Sequence, residues 1–443
     1  MLLTRLLAPE AFGVMAIIMA VNSFLESFTD VGINTAIVQN PRSDEPTYLN
    51  GSFWISLARG TGLYLLILIA APWTAGFYHQ QAMAALMRVA FLEILLKGAF
   101  SPRLYIAQKK MDFKRLLLVS QGAGICGSVA TIVLAFSLRS VWALVLGIVV
   151  EYVTRCTFSY LACPFRPGFD FDREGLRALY RYTRGMAGLP VLTFIFMRAD
   201  VFVLGRVRSP ADVGIYSMAA VLALVPYSFL AGFLTQLLNP AFSEMQSEPE
   251  RLRRTLFQVT SLATVLVVPA TLFVALYGKH LLRFLYGGPY AKAAVPFAIL
   301  FATAMLRLLT VPVVSLYFMI GRPGLNRYFA IARTALIVLL IYPAIRWHGL
   351  TGAALAGLVA MAAGYALQLV RLRSIIGLDL VPYLKVVGRA LPLSLPLLAM
   401  WITTHHTVRL IPAFHLGIGI AGCLIGYALA LIFRWRPLLR PQI

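Results

Sequence analysis

Seven basic side chains lie inside long apolar stretches of this sequence, where a charge requires an ionic partner, water or a bound ligand. They are Arg59, Arg88, Lys97, Arg155, Arg198, Arg307 and Arg333. A guanidinium presents its N–H donors as a planar fork that fits the oxygens of a pyrophosphate. Arg59, Arg307 and Arg333 have no acid three or four residues away. We predict that these three line a cationic cavity that binds a diphosphate, with Lys97 and Arg198 as further candidates.

Acidic side chains occupy the same apolar stretches, at Glu26, Asp30, Glu93, Glu151 and Asp200. Glu93 lies four residues before Lys97, which places both on one helix face and favours neutralisation within the pair. The same spacing joins Glu151 to Arg155. These acids are therefore expected to balance neighbouring bases rather than to contact a substrate.

Two further acids, Asp30 and Asp200, could bind a coupling proton or Na⁺. A structural ion pair is the alternative for both. The sequence contains no Cys/His set with metal-ligand spacing, no nucleophile elbow and no phosphate-binding loop. We therefore predict no metal, no cofactor and no catalytic residue.

The composition indicates that helices in a bilayer carry these charges. Hydrophobic residues make up 60% of the 443 residues and charged residues 13%, and the mean hydropathy is +0.81. Apolar runs long enough to cross the hydrocarbon core recur from end to end, joined by short connections. We predict an all-α, polytopic membrane helix bundle with about thirteen transmembrane helices, among them 82–101, 185–205, 328–345, 350–370, 388–404 and 412–433.

The net charge of +22 has a topological explanation. With the C-terminus placed in the cytoplasm, more than twice as many lysines and arginines fall on the cytoplasmic side as on the opposite side, which is the positive-inside pattern. Residues 171–184 read as a cationic amphipathic helix on the inner membrane face. We expect membrane lipids and not nucleic acid as partners, with the protein multi-pass in an inner membrane.

An internal repeat divides the chain. RLLAPEAFGVMA at 5–16 returns as RVRSPADVGIYSM at 206–218, and LYIAQKKMDFKR at 104–115 returns as LYFMIGRPGLNR at 316–327. An even number of spans separates the copies, so we predict two like-oriented six-helix lobes followed by two C-terminal helices. The predicted boundaries are 1–163, 164–184 for the interfacial helix, 185–373, and 374–443.

The two copies differ at their start. A whole span precedes Arg206, whereas four residues precede Arg5. We predict that the first helix of the N-terminal lobe is missing here and that restoring it would give fourteen helices. A natural thirteen-span protein is the alternative.

The segment RLLAPEAFGVMAIIMAVNSFLESFTDVGINTAIVQ resembles the opening of Wzx-type polysaccharide flippases, with Asp30, Gly32, Ala36, Val38 and Gln39 at the characteristic positions. AQKKMDFKR is similar to the colanic-acid-exporter branch. This family belongs to the superfamily of multidrug antiporters (MATE) and the lipid II flippase. The resemblance implies that undecaprenyl-pyrophosphate-linked oligosaccharide crosses the bacterial inner membrane by alternating access, for exopolysaccharide, capsule or O-antigen synthesis. It also suggests a polysaccharide polymerase and a chain-length regulator as partners.

Two other functions remain open at this point. A MATE-like cation-coupled drug antiporter would have a less basic cavity in which acids dominate. A membrane-embedded glycan polymerase or glycosyltransferase would need a large extracytoplasmic loop with catalytic side chains. The outward loops here are short, and His405 and His406 form an isolated pair. The flippase is therefore the favoured function, and we expect no enzymatic activity.

Overall fold

A computed structural model describes residues 1–29, 37, 44–170, 189–246, 248–407, 417–422 and 424–425. Within these residues the protein consists of helices and their connections, without β-strands. The helices are α1 Leu2–Leu6, α2 Pro9–Thr29, α3 Pro46–Phe77, α4 Met83–Ala90, α5 Leu92–Gly98, α6 Arg103–Lys109, α7 Phe113–Leu117, α8 Ala123–Leu138, α9 Val141–Ala162, α10 Leu189–Val207, α11 Pro210–Glu244, α12 Pro249–Leu285, α13 Ala294–Met319, α14 Pro323–Ile376, α15 Leu380–Ala390 and α16 Leu395–Thr407.

Eight helical segments in the described part are long and apolar enough to cross a membrane. They are Pro9–Ser27, Pro46–Phe77, Phe113–Leu138, Val141–Ala162, Pro210–Glu244, Pro249–Leu285, Gly288–Met319 and Gly324–Ile376. Many of their large apolar side chains are exposed, as Ile125, Val129 and Val133 are on α8. Their spacing of four places these three on one helix face, as expected for contact with lipid. The predicted all-α membrane fold is confirmed.

The difference between thirteen predicted spans and eight has local causes. Helix α14 contains both 328–345 and 350–370, divided at Gly349 with φ 57° and ψ −132°. The predicted span 82–101 is interrupted at Phe91, between α4 and α5. Helix α10 covers most of 185–205 and is not among the eight, because it carries three charged residues, Arg198, Asp200 and Arg206. The span 388–404 is divided between the end of α15 and α16.

Some sequence predictions lie outside the described residues. These are Asp30, the amphipathic helix at 171–184 and most of the span 412–433. The described chain forms two compact units, Met1–Gly214 and Ile215–Ile443. The lobe boundaries at 163, 185 and 373 stay predictions.

In the first unit, glycines allow close helix packing. A Cβ on Gly60 of α3 would lie 2.8 Å from the Ile94 carbonyl oxygen, and one on Gly98 would lie 2.6 Å from the Ser56 carbonyl oxygen. Such approach of backbones is the usual role of small residues between membrane helices. Since Arg59 and Lys97 immediately precede these two glycines, the contact places both bases on closely packed helices.

The repeated opening motif also forms a contact within the first unit. A Cβ on Gly13 would lie 1.8 Å from the Pro210 carbonyl oxygen, and one on Gly214 would lie 1.9 Å from the Pro9 carbonyl oxygen. The two copies of the Pro-x-x-x-Gly motif therefore pack against each other reciprocally. This contact explains why glycine occurs at this position in both copies.

The second unit has a large apolar core contributed by α11 to α15, including Phe242, Leu256, Val313, Leu372 and Tyr383. Buried hydroxyls add specific bonds to this core. The Tyr317 hydroxyl donates to the Gln368 carbonyl oxygen at 2.8 Å. This bond joins the end of α13 to the second half of α14.

Candidate functional site

The second unit brings two of the predicted arginines together. Arg307 extends from α13 and Arg333 from the first half of α14, and both side chains are half-buried. The two guanidinium groups are near enough for their positive charges to act on each other. Two arginines that interact electrostatically inside a membrane-spanning unit are candidates for binding an anion.

An aromatic side chain from α11 completes this cluster. The Arg307 Cζ lies 4.6 Å from the centroid of the Tyr227 ring, a cation–π distance. Such a contact is worth about 0.5–2 kcal/mol, depending on desolvation. Tyr227 therefore helps to hold the Arg307 guanidinium in position.

Local packing positions both arginines. The buried side chains of Met305, Leu308 and Leu309 surround Arg307 along α13, and the Thr310 hydroxyl donates to the Arg307 carbonyl oxygen at 2.7 Å. Arg333 lies beside Gly364 in the second half of α14, where an added Cβ would be 3.3 Å from the Arg333 Cβ. Gly364 thus leaves room for the aliphatic part of Arg333.

An apolar cavity of about 780 Å³ lies in the same unit. Its lining comes from α12, α13, α14, α15 and α16 and includes Leu272, Met305, Leu309, Leu395 and Leu398. Helix α13 therefore contributes to both the cationic cluster and the apolar cavity. Together they combine donors for an anionic group with a surface for a hydrocarbon chain.

Lys97 has a different environment, in the first unit. Its Nζ donates to the Glu26 Oε1 at 2.6 Å and to the Glu93 Oε1 at 3.4 Å. It also lies 5.1 Å from the centroid of the Tyr152 ring. The predicted pairing with Glu93 is present, and Glu26 from α2 is a second acidic partner.

The remaining predicted residues are Arg59, Arg198 and Asp200, within the described part, and Asp30, outside it. Arg59 is half-buried on α3, and Arg198 is half-buried on α10. The carboxylate of Asp200 accepts a hydrogen bond from the Val201 backbone N–H at 2.7 Å. Asp30 lies outside the described residues. The grouping of Arg59, Lys97 and Arg198 with the other arginines in one cavity stays a prediction.

Sequence reasoning missed three side chains that the structure places next to these charges: Tyr227, Tyr152 and Asn22. The sequence feature that could have indicated these three is a polar or aromatic residue within an apolar span. Tyr227 directly follows a proline inside its helix, and Tyr152 directly follows Glu151. The contacts of Tyr227 with Arg307 and of Tyr152 with Lys97 join different helices, so neither position reveals that partner.

A family model described as "Polysaccharide biosynthesis protein" matches residues 2–295. The chain belongs to this family. The matched part includes Arg59, Lys97 and Arg198, whereas Arg307 and Arg333 follow it. The predicted resemblance to polysaccharide flippases is thereby confirmed at the level of the family.

Two similar proteins have low sequence identity to this chain, but the matches extend over most of it. The chain is 26% identical over 292 residues to the succinoglycan biosynthesis transport protein ExoT of Rhizobium meliloti, covering 66% of this chain and 59% of ExoT. It is 21% identical over 367 residues to the lipopolysaccharide biosynthesis protein WzxC of Escherichia coli, covering 82% of this chain and 73% of WzxC. The match to ExoT thus spans less than two thirds of that protein.

A solved structure shares the fold. The lipid II flippase MurJ, in an inward closed conformation, superposes with a TM-score of 0.79, covering 98% of this chain and 94% of MurJ at 13% sequence identity. At that identity the likeness concerns the fold alone. It agrees with the helical membrane bundle predicted from composition.

Proposed function

We propose that this protein is a flippase that moves an undecaprenyl-pyrophosphate-linked oligosaccharide across the bacterial inner membrane by alternating access. The observation that carries the proposal is the Arg307–Tyr227–Arg333 cluster in the unit that also contains the apolar cavity, with α13 contributing to both. A polyprenyl pyrophosphate joins an anionic diphosphate to a long hydrocarbon chain, and these two surfaces match its two parts. The names of ExoT, a succinoglycan biosynthesis transport protein, and WzxC, a lipopolysaccharide biosynthesis protein, support a substrate from polysaccharide synthesis.

In the proposed binding mode, the guanidiniums of Arg307 and Arg333 donate to pyrophosphate oxygens, and the diphosphate charge offsets their mutual repulsion. A hydrogen bond to a charged group contributes about 1.5–3 kcal/mol. The polyprenyl chain lies along the apolar cavity, which is lined by aliphatic side chains such as Leu272 and Leu398. The sugar part would then occupy the more polar space, and no covalent step is involved.

The proposed topology places the C-terminus in the cytoplasm, on the side richer in lysine and arginine. The substrate is loaded from that side and released on the other. A polysaccharide polymerase acting on the released repeat unit, with a chain-length regulator, would be the expected partner there. The glycan serves exopolysaccharide, capsule or O-antigen synthesis.

The test is binding of undecaprenyl pyrophosphate by the purified protein in nanodiscs, comparing wild type with Arg307→Ala. Loss of one charge-assisted bond should weaken affinity about tenfold to a hundredfold. Arg88→Ala is the matched control, because Arg88 is also a base in an apolar helix but has an exposed side chain. In cells, Arg307→Ala at normal protein levels should strand lipid-linked repeat units on the cytoplasmic leaflet.

Equal affinity of Arg307→Ala and Arg88→Ala would contradict the proposed site. Export of organic cations in place of a lipid-linked glycan would favour the drug antiporter. Incorporation of sugar into polymer by the purified protein would favour a polymerase.

A further inference from the structure

The most deeply buried charged side chain in the described residues is Glu93 of α5, which is 2% exposed. Its neighbour from α2 is Asn22, which is 3% exposed. The Asn22 amide Nδ2 donates to the Glu93 Oε1. A carboxylate at this depth is costly unless it is fully paired or neutral.

The cation next to Glu93 is shared. The Lys97 Nζ lies 2.6 Å from the Glu26 Oε1 and 3.4 Å from the Glu93 Oε1. Glu26 and Lys97 are about one quarter exposed, whereas Glu93 is 2% exposed. The shorter contact of Lys97 is therefore with Glu26, which is the less buried of the two carboxylates.

Two oxygen atoms of this cluster have no hydrogen-bond partner among the described residues. They are Glu93 Oε2 and Asn22 Oδ1, and both are buried. An ionised carboxylate accepts bonds on both oxygens, so a buried oxygen without a donor costs free energy. A proton on Glu93 Oε2 would remove the charge and turn this acceptor into a donor.

The helices around Glu93 carry several titratable or charged side chains. Helix α2 contributes Glu26, and α9 contributes Tyr152 and Arg155. Arg155 is itself bonded to Glu151 at 2.8 Å and lies 5.2 Å from the Tyr152 ring centroid. Helix α3, packed on α5 through glycine contacts, contributes Arg59, and the one base of α4, Arg88, has an exposed side chain. The base that contacts Glu93 directly is Lys97 of its own helix.

We propose that Glu93 is the proton-binding residue of this transporter, which rests on the proposed flippase function. In one state of the cycle a proton from water on one side forms an O–H bond at Glu93 Oε2, and the carboxylate becomes a neutral acid. Lys97 then pairs with Glu26 alone. In the other state the proton leaves to water on the opposite side, and Lys97 bridges both carboxylates. The uptake and release of one proton balance without any other reactant.

A metal cation fits this position less well than a proton. The Lys97 ammonium already lies beside Glu93 and would repel Na⁺. The described residues also contain no group of three or more His, Cys, Asp or Glu side chains able to hold a metal. The proposal differs from the sequence prediction of Asp30 or Asp200, since the Asp200 carboxylate accepts a backbone N–H and Asp30 lies outside the described residues.

The test is calorimetric titration of the protein in nanodiscs with undecaprenyl pyrophosphate, in buffers of different ionisation enthalpy. The dependence of the binding heat on the buffer gives the number of protons exchanged. We expect a net exchange in wild type and in the control Glu250→Gln, whose side chain is exposed on α12. In Glu93→Gln, binding should persist and the Glu93-linked part of the exchange should disappear.

Infrared difference spectra between acid and alkaline buffer provide a measurement that needs no ligand. A protonated-carboxyl band present in wild type and in Glu250→Gln should be absent in Glu93→Gln. Export of glycan by Glu93→Gln should fall to the level of a strain without the protein, at equal membrane abundance.

Unchanged proton exchange in Glu93→Gln, or wild-type export by this variant, would overturn the proposal. The proposal would also be overturned if the binding heat changed when choline replaced Na⁺ but did not depend on the buffer. Failure of the flippase assignment itself looks different, because wild type would then give no binding heat with undecaprenyl pyrophosphate.

Discussion

Replacing Gly13 by alanine tests the reciprocal contact between the two copies of the repeated motif. The new Cβ would lie 1.8 Å from the Pro210 carbonyl oxygen, whereas ordinary contacts lie at 3.4–4 Å. The two helices would have to separate by about 1.6 Å, which costs about 1–3 kcal/mol as overpacking. Alanine is favoured over glycine in a helix by about 1 kcal/mol. This gain in helix propensity is smaller than most of the expected cost of overpacking.

The matched control is Gly232→Ala, on the helix that carries Gly214, because an added Cβ there meets nothing within 4 Å. We expect Gly232→Ala to retain or raise the temperature of half-unfolding in detergent, and Gly13→Ala to lower it by several degrees. Gly214→Ala should behave like Gly13→Ala. If Gly13→Ala and Gly232→Ala unfold at the same temperature, the reciprocal contact does not exist as described.

Two further predictions concern the charged clusters. Tyr227→Leu should weaken binding of undecaprenyl pyrophosphate about twofold to thirtyfold, because the cation–π contact that orients Arg307 is worth about 0.5–2 kcal/mol. Tyr227→Phe should bind like wild type in the same nanodisc titration, and a Tyr227→Leu variant with wild-type affinity would exclude the orienting role. Lys97→Met should destabilise the protein by about 3–5 kcal/mol, since it leaves the buried Glu93 and the partly buried Glu26 without their shared cation. Adding Glu93→Gln to Lys97→Met should recover part of the lost membrane abundance, and no recovery would show that Lys97 stabilises the fold through other contacts.

Local features were predictable from the sequence. Apolar runs indicated membrane helices because length and hydropathy alone determine whether a segment can cross the hydrocarbon core. The four-residue spacing indicated the Glu151–Arg155 pair, which is present at 2.8 Å. The recurrence of Pro-x-x-x-Gly was visible in the sequence as part of the repeat, and the structure shows close backbone contact at both glycines.

Span boundaries were predictable only in part. The kink at Gly349 lies between two predicted spans, and a helix on both sides follows from hydropathy. The interruption at Phe91 was not predicted, because the apolar sequence continues through it. Hydropathy measures partition into the membrane, whereas helix continuity also depends on backbone angles at single residues.

The sequence by itself determined that this chain is a helical membrane protein with an internal repeat and a set of intramembrane charges. Only the tertiary structure decided which groups meet those charges: Tyr227 at Arg307, Gly364 beside Arg333, and Glu26 at Lys97. Each of these partners lies on another helix or helix half, distant in sequence, so no local spacing encodes the contact. The pattern along a helix fixes which side chains share a face, but the packing of helices fixes what that face touches.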